Sequence, residues 1–440
     1  MGRRVFLSIL GIAFYEKCRY QKDDFTGNET TFIQQNLVEY LREKENWGRD
    51  DNDQVIMLLT DKAEKNNWNQ DITSRYNAKY QKDLPYKGLE KIFLDMNVSY
   101  KAVRIKDGED EKQMWDVFKV IFEQLQEGDQ LYLDITNSFR YLPMLLVVLV
   151  NYAKFLKNVK VEAIFYGNYE ARNQETNIAP VMDLLPLSSL QDWTSAASDY
   201  LQYGQVDKLH ALSKESLNPI LRNPATRDEN TTILQNFVSV LKKTIDERIT
   251  CRGVAIVQGK NVKFLEKNAQ KIQEVTLPQL GPVFEKIKES LKEFDAGENV
   301  HNCLKAAKWC FANKLYQQAT TLLEEGLITI LCNQCKDLRY WDEHDRDMIS
   351  SCIYIATHDT PENKWNVKPK DKVAIPRILV EEQVWKDENF LELLKNVRNL
   401  RNDYNHAGFR NSAQNAATII GNVKNFIDSM EMIEQTLFAR

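Results

Sequence analysis

The sequence predicts an α/β domain followed by an all-helical one, and three observations lead there. The first 185 or so residues alternate short apolar runs with amphipathic stretches. From about Leu187 the apolar spacing turns helical and strand signals nearly vanish. Chain breakers are scarce: 16 Gly and 11 Pro among 440 residues are about half the usual share, which favours long helices over tight turns.

In chain order, the candidate strands are Val5–Leu10, Val55–Thr60, Ser99–Ile105, Gln130–Asp134 and Val161–Tyr166. Helical patterns lie between them at Thr31–Glu43, Lys87–Met96, Lys112–Gln126 and Tyr141–Leu156. Strand and helix alternating in this way build a parallel sheet with helices on both faces, Rossmann-like in outline. Ligands of such sheets sit beyond the carboxyl ends of the strands. No G-x-G-x-x-G follows the first strand and no G-x-x-x-x-G-K occurs, so dinucleotide and P-loop chemistry are not supported.

The second half reads as helices at Pro282–Phe294, Val300–Ala312, Leu315–Asn333, His344–Tyr354, Glu388–Tyr404 and Asn411–Phe438. The last carries Ile420, Val423, Ile427, Met430, Ile433 and Leu437 on one face, with Asn411 and Gln414 as its capping box. A hairpin is expected at Thr250–Leu265, turning at Gln258-Gly259-Lys260-Asn261. The expected division is 1–186, an α/β domain; 187–280, a helical linker with that hairpin; and 281–440, a helical domain.

Composition narrows the function. With 43% hydrophobic and 28% charged residues, the chain is globular, neither disordered nor fibrous. A formal net charge of −5 excludes a general polyanion binder, so any nucleic acid contact must come from a local basic patch. Seven scattered Cys argue for a reducing compartment over a disulfide framework. Met1 to Tyr15 imitates a signal peptide, yet no small-residue cleavage site follows and Glu16, Lys17 and Arg19 arrive at once. The longest apolar run, Leu142–Val150, is half of the ~20 residues a membrane span needs. A soluble, cytoplasmic protein is expected.

Four groups of residues can carry chemistry. In Arg401-Asn402-Asp403-Tyr404-Asn405-His406, Asn402 and His406 share a helix face and Arg401 lies about 100° to the side. Lys395 and Arg398 extend the polar stripe, and Phe390, Leu394, Val397 and Leu400 form the apolar one. RNA cleavage without a metal wants this set: a His to move protons, an Arg to hold a phosphate and an Asn to orient the imidazole. A solvated helix face with an incidental His has the same pattern. The second group, Asp134-Ile135-Thr136-Asn137-Ser138-Phe139-Arg140, runs from a strand end into a helix. Thr136, Asn137 and Ser138 can cap that helix and Arg140 adds a charge, which suits a phosphate-bearing ligand as well as a plain turn. In the third, Leu7 to Tyr15, Gly11 lets a ligand approach the backbone, while Phe14 or Tyr15 stacks on a base or packs in the core. The fourth, Cys332-Asn333-Gln334-Cys335 with Cys303, Cys310 and His301, reads as buried thiols before a zinc site.

Together these residues resemble the CARF–HEPN ribonucleases of type III CRISPR systems. Leu10-Gly11 with Tyr15 and Tyr20, and Leu59-Thr60-Asp61-Lys62-Ala63, resemble the first two strand ends of the CARF domain. Asp134 to Arg140 resembles its fourth-strand signature, and Tyr166-Gly167-Asn168 and Ala179-Pro180-Val181 resemble later segments. Arg401, Asn402 and His406 match the HEPN pattern. Ser138 departs from the fourth-strand signature, because relatives usually have Gly there.

The resemblance implies a homodimer or higher oligomer whose N-terminal domains bind a cyclic oligoadenylate, the tetramer foremost, as an allosteric activator. The ligand residues it implies are Ser8, Gly11, Ile12, Ala13, Phe14, Thr60, Asp134, Thr136, Asn137, Ser138 and Arg140. It also implies an endoribonuclease that cuts single-stranded RNA in antiviral defence, without a metal or other cofactor, leaving 2′,3′-cyclic phosphate ends. His406 would transfer protons, Arg401 stabilise the phosphorane-like charge and Asn402 orient His406 or the phosphate. No DNA or membrane partner is implied. The alternatives are a ligand-sensing regulator whose helical half binds without cutting, and a ring nuclease that degrades its own activator.

Overall fold

The computed structural model describes residues 2–48, 52–137, 141–272, 280–335, 337–381, 383–409, 411 and 413–437. The chain forms two compact units, Met1–Ser189 and Leu190–Arg440.

Among the described residues the first unit contains ten strands: β1 (Arg4–Ile9), β2 (Arg19–Lys22), β3 (Phe25–Thr26), β4 (Asp53–Leu59), β5 (Ser74–Asn77), β6 (Lys82–Pro85), β7 (Tyr100–Arg104), β8 (Gln130–Asp134), β9 (Lys160–Gly167) and β10 (Ile178–Asp183). Eight form one sheet in the order β3-β2-β10-β9-β8-β1-β4-β7, and β5 and β6 pair as a separate hairpin. β9, β8, β1, β4 and β7 run parallel. Its helices are α1 (Ile33–Lys44), α2 (Asp61–Ala63), α3 (Leu89–Asp95), α4 (Glu111–Gln124) and α5 (Leu142–Lys157), with α6 (Leu185–Tyr203) crossing the boundary between the units.

Two apolar layers cover the sheet. Phe6, Val55 and Met57 point into a core with Leu37 and Leu41 of α1 and Phe93 of α3. Val5, Leu7, Ile9, Ile56 and Leu58 point into the other, with Val117 of α4 and Leu146 and Leu149 of α5. The side-chain period of two along a strand divides β1 between them. The five expected parallel strands are present with ends shifted by two residues at most; β2, β3, β5, β6 and β10 were not expected as strands. Β-strand order reverses between β1 and β8, where Ser8 lies opposite Asp134. That reversal is the topological switch point, where such sheets bind ligands.

The second unit is helical: α7 (Asp207–Arg222), α8 (Glu229–Ile249), α9 (Gly253–Gln258), α10 (Lys260–Ile272), α11 (Gly281–Leu291), α12 (Asn302–Ala312), α13 (Tyr316–Gln334), α14 (Glu343–His358), α15 (Asp371–Glu381), α16 (Glu388–Asn405) and α17 (Ala416–Leu437). The hairpin expected at Thr250–Leu265 is not formed. Gly259 sits there at φ +58 as the left-handed C-cap of α9, not as a hairpin turn. Val262, Leu265, Ala269 and Ile272 are all buried, so the three-to-four spacing beyond the glycine decides for a helix. Nor does Asn411 cap the last helix. Asn415 does so, its Oδ1 accepting the Thr418 N–H at 3.0 Å. Among the described residues no helix is long and apolar enough to cross a membrane.

Candidate functional site

At the switch point, Ser8 and Asp134 end adjacent strands and are both buried. The Ser8 hydroxyl donates to Asp134 Oδ2 at 2.6 Å, and Gln34 Nε2 of α1 donates to Ser8 Oγ at 3.0 Å and to Asp134 Oδ2 at 3.2 Å. Thr136 turns back on the same carboxyl group, its hydroxyl reaching Oδ1 at 2.6 Å and its N–H at 3.0 Å. Burial pushes the Asp134 pKa up, and the hydrogen bonds from Ser8, Thr136 and Gln34 pull it back. The Thr136 oxygen also accepts the Gly167 N–H at 2.8 Å. Ser8, Asp134 and Thr136 therefore form an inner frame that holds the ends of β1, β8 and β9 together.

The rim of the site comes from the loop after β1. Gly11 is buried, and a Cβ there would lie 2.1 Å from the Tyr15 hydroxyl and 3.0 Å from the Asn137 carbonyl. The close approach that needs this glycine is made by the protein's own backbone. Asn67 Nδ2 donates to the carbonyls of Gly11 at 2.8 Å and Ala13 at 2.9 Å. Arg75, on β5, donates to the carbonyls of Ala13 at 2.6 Å and Ile12 at 2.7 Å. Tyr86 closes the clamp through its hydroxyl, 2.9 Å from Asn67 Oδ1. With the carbonyls of Gly11, Ile12 and Ala13 held from one side, the N–H groups of Ile12, Ala13 and Phe14 have no hydrogen-bond partner among the described residues. Three free N–H groups in succession suit an anion.

The other expected ligand residues divide by burial. Thr60 is buried and its Oγ1 accepts the Ala63 N–H at 3.3 Å, capping α2. Ile12 and Ala13 are exposed and Asn137 is half-buried. Phe14 packs on Tyr86 at 5.0 Å, under the Arg75 guanidinium. Tyr15 packs edge-on against Phe32. Ser138 and Arg140 lie outside the described residues. Thr136 and Asn137 do not cap the following helix, because α5 starts only at Leu142, after Tyr141. Sequence reasoning missed Gln34, Asn67, Arg75 and Tyr86. Gln34 carried a signal, since it sits on the apolar stripe of Ile33, Leu37, Val38 and Leu41 and a polar side chain there needs partners.

In the helical unit, α16 buries Phe390, Leu394, Val397 and Leu400 as its spacing predicts. The exposed row does not survive intact. Arg401 turns toward α13, its Nε 2.7 Å from Glu324 Oε2 and its Nη2 3.1 Å from Oε1. Arg398 Nε approaches the same carboxylate at 3.4 Å. The Glu324 side chain is 5% exposed and that of Arg401 28%. Burial pushes the Glu324 pKa up while the two guanidinium groups oppose it. A carboxylate within the apolar stripe of α13 was the signal for this partner.

His406 follows α16 as its C-cap and its N–H reaches the Asn402 carbonyl at 3.2 Å, so it still stacks over Asn402. Its side chain is exposed. Ala407 at φ +49 and Gly408 at φ +73 then reverse the chain. Asn402 lines a cavity of about 790 Å³ together with residues of α14 and the segment after it. Cys332 is buried and Cys335 partly so. Among the described residues no three His, Cys, Asp or Glu side chains converge as a metal site requires.

Residues 5–170 match the family described as the CARF domain of the CRISPR system endoribonuclease Csx1. The CRISPR-associated protein MJ1674 of Methanocaldococcus jannaschii is 26% identical over 236 residues, which cover 52% of this chain and 33% of that protein. The match thus spans about a third of that relative's length. The switch-point geometry agrees with the similarity of residues 5–170 to a CARF domain.

Proposed function

We propose that this protein is a single-stranded endoribonuclease switched on by a cyclic oligoadenylate, the tetramer foremost. The observation that carries the sensing half is the loop after β1, whose three N–H groups without a partner among the described residues offer donors to the phosphates of the ring. Ile12, Ala13, Phe14 and Asn137 line the rim. Ser8, Thr60, Asp134 and Thr136 support the site from beneath. On α5, Met144, Val148 and Phe155 are exposed at helical spacing, 72%, 56% and 83%. Such a face suits a twofold contact with a second copy, which a ligand of matching symmetry would bridge.

Cleavage is assigned to Arg401, Asn402 and His406. The RNA 2′-OH attacks the adjacent phosphorus, its proton leaves to a base, and the 5′-oxygen departs protonated, leaving a 2′,3′-cyclic phosphate. His406 transfers the proton, because its imidazole is exposed at the helix end. Arg401 stabilises the charge of the phosphorane-like state. Its Nε and Nη2 are turned to Glu324, and Nη1 is left for an anion. Asn402, one turn before His406, orients the imidazole or the phosphate. No metal is required in this scheme. The activator acts by binding the cutting-competent state better than the resting one.

The test is cleavage of a fluorogenic single-stranded RNA in EDTA, with cyclic tri-, tetra- and hexa-adenylate offered separately to wild type and His406→Ala. Cleavage evoked by one ring and lost in the variant is expected. A variant that cuts at the wild-type rate would overturn the assignment of His406.

A further inference from the structure

The cavity beside Asn402 plays no part in the proposed cleavage chemistry, yet it is built like a nucleotide site. It lies between α14, α16 and the segment joining α14 to α15, and its volume of about 790 Å³ falls in the range of small-ligand pockets. Tyr354 and His358 of α14 stack at 4.4 Å between ring centroids and 24° between planes. Tyr354 is 52% exposed, so the pair presents an aromatic surface rather than a core contact. The His358 Nδ1 lies 3.0 Å from both the Tyr354 carbonyl and the Thr357 hydroxyl, which leaves Nε2 at the free edge. Across the cavity, α16 supplies the amides of Asn399 and Asn402.

The charges follow the same logic. Lys364 and Lys368 lie on the rim, and both are exposed. Of the two acids lining the cavity, Asp371 is buried and paired to His344 Nε2 at 3.2 Å, which leaves Asp347 against the two lysines. An aromatic platform, amides in the lining and cations at the rim are what single-stranded nucleic acid asks of a surface. Asn402 belongs both to this cavity and to the helix turn that carries Arg401 and His406.

We infer that this cavity binds one or two nucleotides of the single-stranded RNA substrate beside the scissile phosphate. The inference rests on the ribonuclease reading above and extends it. Bases are held by stacking on Tyr354 and by the amides, and their phosphates by Lys364 and Lys368. The bases it accepts set the cleavage preference of the enzyme.

The experiment measures binding apart from cutting. In full-length His406→Ala protein, anisotropy of a labelled single-stranded 12-mer RNA is titrated with and without Tyr354→Ala, and with and without Lys364→Glu plus Lys368→Glu. Each change is expected to weaken binding about tenfold. In the cleaving protein the same changes should raise KM and shift the cutting positions, while cyclic tetra-adenylate binding stays as in wild type. The surface lysine pair keeps the test valid if Tyr354→Ala fails to fold. Unchanged affinity and KM in both variants would overturn the inference, as would equal affinity for DNA of the same sequence. If wild type binds RNA through the cavity but no ring evokes cleavage, the ribonuclease reading falls and the cavity assignment stands. If it cuts and the variants match it, only the cavity assignment falls.

Discussion

The switch point of the first unit and the end of α16 in the second solve opposite problems. At the switch point, the Ser8 hydroxyl, Gln34 Nε2 and the Thr136 hydroxyl are spent on the buried Asp134 carboxyl group. What reaches the surface is backbone: N–H groups of the loop after β1, freed because Asn67 and Arg75 hold the carbonyls from behind. At the end of α16 the backbone is satisfied by the helix, and what reaches the surface is a side chain, the imidazole of His406. The difference teaches how each site is preorganised. Fixed N–H groups recognise a ligand without changing protonation, which suits a sensor. An exposed imidazole on a helix end suits proton transfer. Arg401 stands between the two, since a buried Glu324 fixes it much as Arg75 fixes the loop.

The largest expected effect separates the two sites outright. His406→Ala should lower kcat for activated RNA cleavage by about 10²- to 10⁴-fold, while calorimetry finds activator affinity unchanged. A parallel loss of activator binding would break the comparison. Arg75→Ala is the converse. It leaves the loop carbonyls of Ile12 and Ala13 without their guanidinium, and activator Kd should rise about tenfold as the preorganised loop loosens. Excess activator should restore cleavage.

Glu324→Gln sharpens the case of Arg401. Cleavage should fall by about tenfold as the guanidinium loses its anchor. The sign of its pH effect is also set. Because burial holds the Glu324 pKa above its usual value, the folded state takes up a proton more readily than the unfolded chain. Stability from this group therefore rises as pH falls through the raised pKa and declines as pH rises. Urea unfolding at pH 5 and pH 7.5 should show that slope in wild type and a flatter one in Glu324→Gln. The smallest effect is expected from Gly11→Ala. A Cβ 2.1 Å from the Tyr15 hydroxyl must push that ring aside, at a cost of about 1–3 kcal/mol in thermal or chemical unfolding of the first unit.

Much of this was legible in one dimension. The parallel strands announced themselves as apolar runs because both faces of the sheet are covered, and Phe390 to Leu400 showed the buried stripe of α16 by its spacing. Short edge strands such as β2 and β3 lack that signal. The glycine at 259 fitted a hairpin turn and a helix C-cap equally well, and only packing of Val262 and Leu265 separates them. Arg75 gave no sign at all, since its role depends on a separate hairpin meeting the loop after β1.

What the sequence determined by itself is the alternation of layers in the first unit, the helical character of the second, and the residues gathered at Asp134–Thr136 and Arg401–His406. These follow from local periodicity and from spacing along one element, which the chain carries without help from distant parts. Which polar groups stay inside and which face a ligand was decided only by the tertiary structure. Ser8, Thr60 and Thr136 are donors and acceptors like Asn137, yet partners from β8, β9, α1 and α2 absorb the first three into the frame. A hydrogen bond to a residue a hundred positions away outweighs what any short motif can specify, because a buried polar atom must find a partner wherever the fold brings one.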